Sequence, residues 1–203
     1  MRARVLDASA LDEAAALLLA GDVVAVPTDT VYGLAARADD DGAVASLFAA
    51  KARPTSVPIA VLAASSADAR ALARRWPPEA EALSTAFWPG PLTVVVEAER
   101  GLAARLGASR AAGLRVPDDR LCRALLTRTG PLAVTSANRH GAAPATSATA
   151  VLDALGEGVA AVLDGGVRDG TVSTVVDVTG SEPVVVREGA VSADAVRAAL
   201  SRG

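Results

Sequence analysis

The sequence is poor in aromatic residues, cysteine and histidine. Aromatic residues make up 2% of its 203 residues, so a hydrophobic share of 51% must come mainly from Ala, Val and Leu. The one cysteine, Cys122, excludes an internal disulfide and a cluster of thiolate metal ligands. The one histidine, His140, leaves few side chains that could shuttle protons near neutral pH. A thiolate metal cluster and a mechanism that uses several histidines are therefore excluded.

Long apolar segments and a phosphate-binding loop are also absent. The apolar run at residues 14–20 follows two acidic residues and is too short to cross a bilayer, so we expect a cytoplasmic protein without a signal peptide or membrane contact. No G-x-x-x-x-G-K-[ST] motif occurs, and the glycine spacing at residues 156–161 lies between a predicted helix and a predicted strand, the wrong order for dinucleotide binding. The net charge of -3 argues against bulk nucleic-acid binding, so RNA contact would need a local basic patch.

Apolar patterns that alternate between strand and helix periods predict an α/β fold. Strands are predicted at residues 23–26, 59–62, 93–96, 114–116, 132–135, 160–163, 174–178 and 184–187. Helices are predicted at residues 9–19, 41–50, 66–74, 78–87, 119–127, 147–155 and 192–200. A short turn joins the last two strands, which should pair antiparallel and make the sheet mixed. The length fits one domain over residues 1–203.

Irregular segments beside predicted strand ends carry the polar residues that suggest a ligand site. PTDTVYGL, at residues 27–34, places hydroxyls and a carboxylate after a buried strand, although an ordinary capped turn would look the same. KARP, at residues 51–54, holds two cations that could complement a helix dipole or clamp phosphates. TSAN, at residues 135–138, suits a polar small molecule, but a capped loop explains it nearly as well.

Two arginines lie on predicted strands, and the one at a strand end before a glycine, Arg187, suggests an anion site. Arg115 lies inside the apolar strand LRVP and has no obvious local partner. Arg187 ends the last predicted strand, immediately before Glu188 and Gly189. Neither arginine alone identifies a ligand, because a charge paired elsewhere in the fold would give the same pattern.

Taken together and in this order, six segments resemble the YrdC/Sua5 family of threonylcarbamoyl-AMP synthases. They are PTDTVYGL at residues 27–34, KARP at 51–54, PGPLTVV at 89–95, LRVP at 114–117, TSAN at 135–138, and STVVDVT with VVREG at 173–189. Each is weak alone, but the ordered set is specific and covers about residues 21–189. The family includes a longer Sua5 form with an extra C-terminal domain, and this sequence resembles the short YrdC form.

The resemblance implies a single YrdC-like domain with a twisted mixed sheet, flanking helices and a concave active-site face. It implies synthesis of threonylcarbamoyl-adenylate from L-threonine, bicarbonate or CO2, and ATP, with Mg²⁺ carried on the ATP and no protein metal site. The expected acceptor of the product is the transferase complex that makes N6-threonylcarbamoyladenosine in tRNA.

The resemblance also implies individual site residues. Lys51 and Arg53 would be catalytic. The L-threonine contacts would be Thr30, Arg115, Ser136 and Ser173. The ATP contacts would be Arg53, Asn138, Thr146 and Arg187. Four positions depart from residues common in the family, namely Val57, Leu62, Ala111 and His140.

Two rival functions remain open on the sequence alone. A related domain of hydrogenase-maturation proteins makes carbamoyl-adenylate, but those proteins carry zinc-finger and acylphosphatase regions that this sequence lacks. The other rival is a double-stranded RNA-binding module without catalysis, which the acidic pI of about 5.2 disfavours.

Overall fold

A computed structural model describes residues 3–139 and 141–202. The strands within them are β1 (Arg4–Leu6), β2 (Val24–Val26), β3 (Gly33–Arg37), β4 (Ala60–Leu62), β5 (Leu92–Glu97), β6 (Ala111–Arg115), β7 (Leu132–Ser136), β8 (Ala161–Leu163), β9 (Thr174–Asp177) and β10 (Val184–Arg187). The helices are α1 (Leu11–Leu19), α2 (Asp41–Ala50), α3 (Ser66–Ala71), α4 (Pro78–Phe87), α5 (Arg100–Arg105), α6 (Arg120–Thr129), α7 (Ala148–Leu155) and α8 (Ala193–Leu200).

The strands form one ten-stranded mixed sheet in the order β1-β8-β2-β3-β7-β4-β6-β5-β9-β10. Pairing is parallel in β1–β8, β8–β2, β4–β6 and β5–β9, and antiparallel between the other neighbours. The predicted mixed sheet and the antiparallel pairing of β9 with β10 are therefore confirmed.

Side-chain caps fix where most of the helices begin. Asp40, Asp119, Ser147 and Ser192 each accept a hydrogen bond from the backbone N–H three residues ahead, which satisfies a free donor of the first turn. The prediction that Ser9 caps the first helix is wrong. A short 3-10 turn precedes α1, and Asp7 caps it by accepting from the Ser9 backbone N–H at 2.7 Å.

Two apolar clusters cover opposite faces of the sheet. Val24 and Val26 belong to the smaller cluster and Ala25 to the larger one, because successive strand side chains point to opposite faces. Helices α1 and α6 pack together over the smaller cluster, whereas α2, α4, α7 and α8 contribute to the larger one. Helices α1 and α6 thus cover only part of their face, near β8, β2 and β7.

Three elements were not predicted from the sequence. Strand β3 lies in the middle of the sheet but reads Gly-Leu-Ala-Ala-Arg, in which glycine and alanine have little strand preference. Strand β1 is three residues long, and α5 is a six-residue helix without a side-chain cap. The predicted helix at residues 66–74 ends earlier, at Ala71. Short elements like these give too little periodicity to recognise.

Among the described residues, none of the helices combines the length and the apolar character that a bilayer crossing requires.

Candidate active site

The uncovered part of the sheet forms the floor of a cavity of about 540 Å³. Its strands β4, β6, β5 and β9 contribute alternate side chains, as the two-residue strand period requires. Leu114 belongs to the apolar cluster on the far face, so its neighbours Gly113 and Arg115 face the cavity. The other floor residues follow the same alternation: Ala60, Leu62, Thr93, Val95, Ala111, Val175 and Asp177. This volume is in the range of small-molecule sites.

The cavity is cationic. Arg53, Arg115 and Arg187 line it, and Asp177 is the acidic residue among the described lining side chains. Burial lowers the pKa of Arg187 below its ordinary value, and the positive charges of Arg115 and Arg53 lower it further. Positively charged side chains that repel one another across a cavity stabilise an anion bound between them.

Arg115 is buried at the floor and is held from three sides. Its Nε donates to the Gly90 carbonyl at 3.0 Å, Nη1 donates to Thr30 Oγ1 at 3.1 Å, and Nη2 donates to Asp29 Oδ1 at 2.6 Å. Burial lowers the pKa of Arg115, and the charge of Asp29 opposes that shift. A guanidinium has five N–H donors, so two remain for a ligand.

The turn before β3 presents Thr30 and Asp29 to Arg115. Thr28 Oγ1 donates to the Val31 carbonyl at 2.7 Å and lies 2.9 Å from Thr30 Oγ1. Thr28 and Thr30 are both 3% exposed. Position 33 requires glycine, because a Cβ there would lie 2.5 Å from Val134 Cγ1 on the neighbouring strand. The turn therefore positions two hydroxyls and a carboxylate beside a buried cation.

Lys51 ends α2 and is 2% exposed. Its Nζ donates to the Ser136 carbonyl at 2.6 Å, to Asn138 Oδ1 at 3.0 Å and to Ser136 Oγ at 3.1 Å. Thr135 Oγ1 lies at 3.4 Å. Burial lowers the pKa of Lys51 to about 8, and the charge of Arg53 acts in the same direction. Lys51 therefore contacts the TSAN turn and does not line the cavity.

Arg53 lines the cavity, whereas Lys51, two residues before it, does not. Ala52 has a φ of +50°, in the left-handed region that non-glycine residues seldom adopt. Arg53 Nε donates to the Val57 carbonyl and Nη2 to the Pro58 carbonyl, both at 2.9 Å. These bonds leave three of its N–H donors for a ligand.

Arg187 is fixed by the chain before β9. Its Nη2 donates to the Ser173 carbonyl at 2.8 Å and to Ser173 Oγ at 3.0 Å, and Ser173 Oγ lies 3.1 Å from Thr93 Oγ1. Gly189 allows this approach, because a Cβ there would lie 2.3 Å from the Val172 carbonyl oxygen. Arg187, Ser173 and Thr93 thus form one hydrogen-bonded group on the cavity wall.

The structure brings most of the predicted site residues together. Those that line the cavity are Thr30, Arg53, Arg115, Ser136, Asn138, Ser173 and Arg187. Thr146 does not line it, and its carbonyl accepts a hydrogen bond from the Arg168 backbone N–H at 2.8 Å. Lys51 lies behind the wall, as described. Their individual roles stay predictions.

Of the four positions that depart from residues common in the resembled family, three are described, and they do not all line the cavity. Leu62 and Ala111 line the cavity, so an apolar surface stands at two points of its floor. Val57 meets the site through its carbonyl, which Arg53 contacts. His140 lies outside the described residues.

Three further residues shape the site, and none of them was assigned a role from the sequence. Asp29 pairs with Arg115, Thr93 contacts Ser173, and Tyr32 binds the segment that leads into β9. Asp29 could have been recognised from the sequence, because it is a carboxylate directly before Thr30 in the same turn. Thr93 gave no signal, because a threonine in a strand is ordinary.

Residues 164–173 form a strap that joins β8 to β9, which lie near opposite ends of the strand order. Tyr32 Oη donates to the Gly166 carbonyl at 2.9 Å and accepts from the Gly165 N–H at 3.0 Å. Arg168 pairs with Asp119 at 2.8 Å. The strap ends at Ser173, so these bonds also fix one wall of the cavity.

Described residues contain no cluster of three or more His, Cys, Asp or Glu side chains that could hold a metal ion. At the cavity, Asp177 Oδ1 already accepts from the Thr179 backbone N–H at 2.8 Å and its hydroxyl at 2.7 Å. Mg²⁺ in a protein cage needs several oxygen ligands, and the one carboxylate among the described cavity residues does not supply them.

Comparison with known proteins places this site in a family. The Sua5/YciO/YrdC family model, described as telomere recombination, matches residues 16–189. The chain belongs to this family. A Mycobacterium tuberculosis relative within it is 41% identical over 183 residues, which cover 89% of this chain and 84% of that protein.

Another relative is the Bacillus subtilis threonylcarbamoyl-AMP synthase. It is 36% identical over 192 residues, which cover 93% of this chain and 56% of that protein. The crystal structure of Pyrococcus abyssi Sua5 complexed with L-threonine matches with a TM-score of 0.92 at 32% identity, covering 98% of this chain and 61% of that chain. This chain therefore spans somewhat more than half of these two longer relatives.

Proposed function

We propose that this protein is a threonylcarbamoyl-AMP synthase, which condenses L-threonine, bicarbonate or CO2, and ATP to threonylcarbamoyl-AMP and pyrophosphate. The observation that carries the proposal is the cavity itself, where three arginines converge with threonine and serine hydroxyls in a space of about 540 Å³. The names of the Bacillus subtilis and Pyrococcus abyssi relatives support it.

The reaction gathers several anionic groups at one place. The L-threonine amine takes up CO2 and loses a proton to give an N-carboxylate. A carboxylate oxygen attacks the α-phosphorus of ATP, the bond to the β-phosphate oxygen breaks, and pyrophosphate leaves. Fixed cations lower the energy of the charge that develops on the phosphates, and they need no reorganisation during the step.

The residues divide into two half-sites in this proposal. Arg115 and Thr30 bind L-threonine, with Ser136 and Ser173. Arg53 and Arg187 bind the ATP phosphates, and Asn138 and Thr146 are the remaining predicted ATP contacts. Mg²⁺ would arrive on the phosphates and neutralise part of their charge. The product would pass to the tRNA threonylcarbamoyl-transferase complex in the cytoplasm.

Pyrophosphate release from the purified protein tests the proposal. Release that requires ATP, L-threonine and bicarbonate together is expected. L-Valine should fail to replace L-threonine, since a site built to bind a hydroxyl leaves polar groups unpaired when the hydroxyl is missing. Release with carbamoyl phosphate and no amino acid would instead support the carbamoyl-adenylate reaction. Tight binding of double-stranded RNA without any release would support the RNA-binding module.

A further inference from the structure

Lys51 is the one lysine of a chain that otherwise uses arginine for its basic side chains. It is also among the largest fully buried side chains. The salt bridges of the described residues do not include it. Its contacts are neutral oxygens of the turn at residues 135–138. A buried ammonium without a carboxylate is costly, so its place needs a reason.

The hydrogen bonds of Asn138 fix the orientation of its amide. Nδ2 donates to the Arg139 carbonyl at 2.9 Å and to the Ala142 carbonyl at 2.7 Å. Oδ1 accepts from Lys51 Nζ at 3.0 Å and from Ser136 Oγ at 2.6 Å. The reverse orientation would set NH2 against an ammonium. The side chain of Asn138 therefore has all its donors and acceptors bonded within the protein, and the predicted contact of this side chain with ATP would have to replace one of these bonds.

The same bonds fix the polarity of Ser136. Its hydroxyl hydrogen points to Asn138 Oδ1, and one lone pair of Oγ accepts from Lys51 Nζ at 3.1 Å. A serine hydroxyl has one donor and two acceptor sites, so one lone pair remains. Ser136 lines the cavity and can offer only an acceptor there.

We propose that Lys51 is a positioning residue. Its ammonium holds Ser136 with the free lone pair toward the cavity, where it accepts from an N–H or O–H of the amino-acid substrate. An ionised phosphate or carboxylate has no hydrogen to donate, so this point does not bind those groups, whereas the ammonium and hydroxyl groups of the amino acid can donate to it. The inference rests on the proposed function, because that function supplies the amino acid.

A compact ammonium suits this place better than a guanidinium. The Ser136 carbonyl, Ser136 Oγ and Asn138 Oδ1 surround one nitrogen at 2.6–3.1 Å. Lysine directs three N–H groups from a single nitrogen, whereas arginine spreads its donors over a planar fork. This geometry explains why position 51 is a lysine although the chain uses arginine at its other cationic positions.

A double-mutant cycle on Lys51→Met and Ser136→Ala tests the proposal. Calorimetric titrations should measure L-threonine and ATP separately for the wild type, both single variants and the double variant. Each single change should weaken L-threonine binding by about tenfold or more and ATP binding by less than about twofold. The double variant should bind L-threonine about as weakly as Ser136→Ala alone, because Lys51 acts through Ser136.

Two results would overturn the role of Lys51. One is a larger loss for ATP than for L-threonine in Lys51→Met, as a phosphate clamp would give. The other is a double variant whose loss of L-threonine affinity equals the product of the two single-variant losses, as independent residues would give. If Lys51→Met does not fold, Ser136→Ala alone decides, and a loss of ATP binding at least equal to the loss of L-threonine binding would refute the assigned polarity. A wild-type protein that binds no L-threonine would overturn the proposed function itself.

Discussion

At the scale of single residues, the cations of the site differ in their partners. Arg115 pairs with Asp29 in a buried contact, with side-chain exposures of 7% and 13%. Arg53 and Arg187 hydrogen-bond to neutral oxygens of the chain. An anionic ligand therefore gains most where Arg53 and Arg187 lie. At the Asp29 end, a ligand with both charges, such as an amino acid, fits the paired arginine better than a polyphosphate.

Asp29→Asn should lower the free energy of unfolding by about 3 kcal/mol, because it leaves the Arg115 cation without its buried counter-charge. Urea denaturation measures this change. The matched control is Asp39→Asn, which breaks the Arg37–Asp39 pair in which the Asp39 side chain is 71% exposed, and it should cost about 1 kcal/mol or less. Equal losses in the two variants would mean that the Asp29 pair has no special weight.

Arg115→Lys and Arg187→Ala should separate the two ligands. A lysine cannot reproduce the three simultaneous contacts of Arg115, so L-threonine affinity should fall by about tenfold or more while ATP affinity stays within about twofold. Arg187→Ala should reverse this pattern. Separate calorimetric titrations give both affinities, and thermal melts check that each variant folds. If both variants lose both ligands alike, the half-sites are wrongly divided.

Lys51 gives a pH dependence that can be observed directly. Lysine labelled with ¹³C at Cε should give one NMR signal, and that signal should titrate near pH 8 instead of at 10.5. The lowered pKa means that the unfolded chain binds this proton more tightly than the folded one between pH 8 and 10.5. The free energy of unfolding of the wild type relative to Lys51→Met should therefore rise through this range. A signal that titrates at 10.5 would contradict the burial of the charge.

Sequence reasoning identifies the side chains of the site better than their partners. Arg115 stands out because a charge inside an apolar strand is rare, and the structure does place it at the cavity. Its partner Asp29 is 86 positions away, and only the pairing of distant strands brings the two together. Thr146 shows the opposite case, since its motif matches but its described place is at the strap.

At the scale of elements, the strap at residues 164–173 links the turn before β3 to the cavity wall. Tyr32 is 0% exposed and reaches the strap from the turn that holds Thr30. The strap then supplies Val172 and Ser173 to the cavity. The position of Ser173 therefore depends on contacts made well away from it.

Tyr32→Phe should loosen the strap without removing its ring from the core. The change deletes the hydroxyl that contacts Asp164, Gly165 and Gly166, so we expect a loss of about 1–3 kcal/mol in stability. Hydrogen exchange should accelerate in residues 165–172 more than in β5 or β7. Asp164→Asn keeps an acceptor near the hydroxyl and serves as the milder control. Uniform acceleration across the sheet would mean that Tyr32 stabilises the whole fold and not the strap.

Elements were predictable where the sequence carried a cap or a long apolar pattern. The bounds of α2 and α4 agree with the predicted residues 41–50 and 78–87, since an aspartate cap and a proline mark their starts. Strand β3 was missed because its side chains are small, although it is buried. Its pairing with both β2 and β7 is what makes it a strand, and such distant pairing leaves no local signal.

At the scale of the whole molecule, helices cover one face of the sheet unevenly and leave the cavity over β4, β6, β5 and β9. A ligand that fills this space binds the folded protein and not the unfolded chain. ATP at about one hundred times its dissociation constant should add about 2.7 kcal/mol to the free energy of unfolding. The melting temperature should then rise by roughly 5–10 °C.

Thermal melts with and without ATP measure this rise, and Arg187→Ala provides the comparison. The variant should show a much smaller rise at the same ATP concentration. A rise of equal size in both proteins would place nucleotide binding outside the cavity.

The strand order has a consequence for the growing chain on the ribosome. Strand β8, which contains Ala161, lies between β1 and β2, and β9, which begins at Thr174, lies beside β5. A nascent chain that has emerged only as far as α7 has β2, β5 and the cavity residue Arg115, yet both flanks of its sheet lack their next strand. Exposed strand edges pair readily with other chains. The sheet can therefore be completed on both sides only after residues 161–177 have been made, and until then its open edges can pair with neighbouring chains.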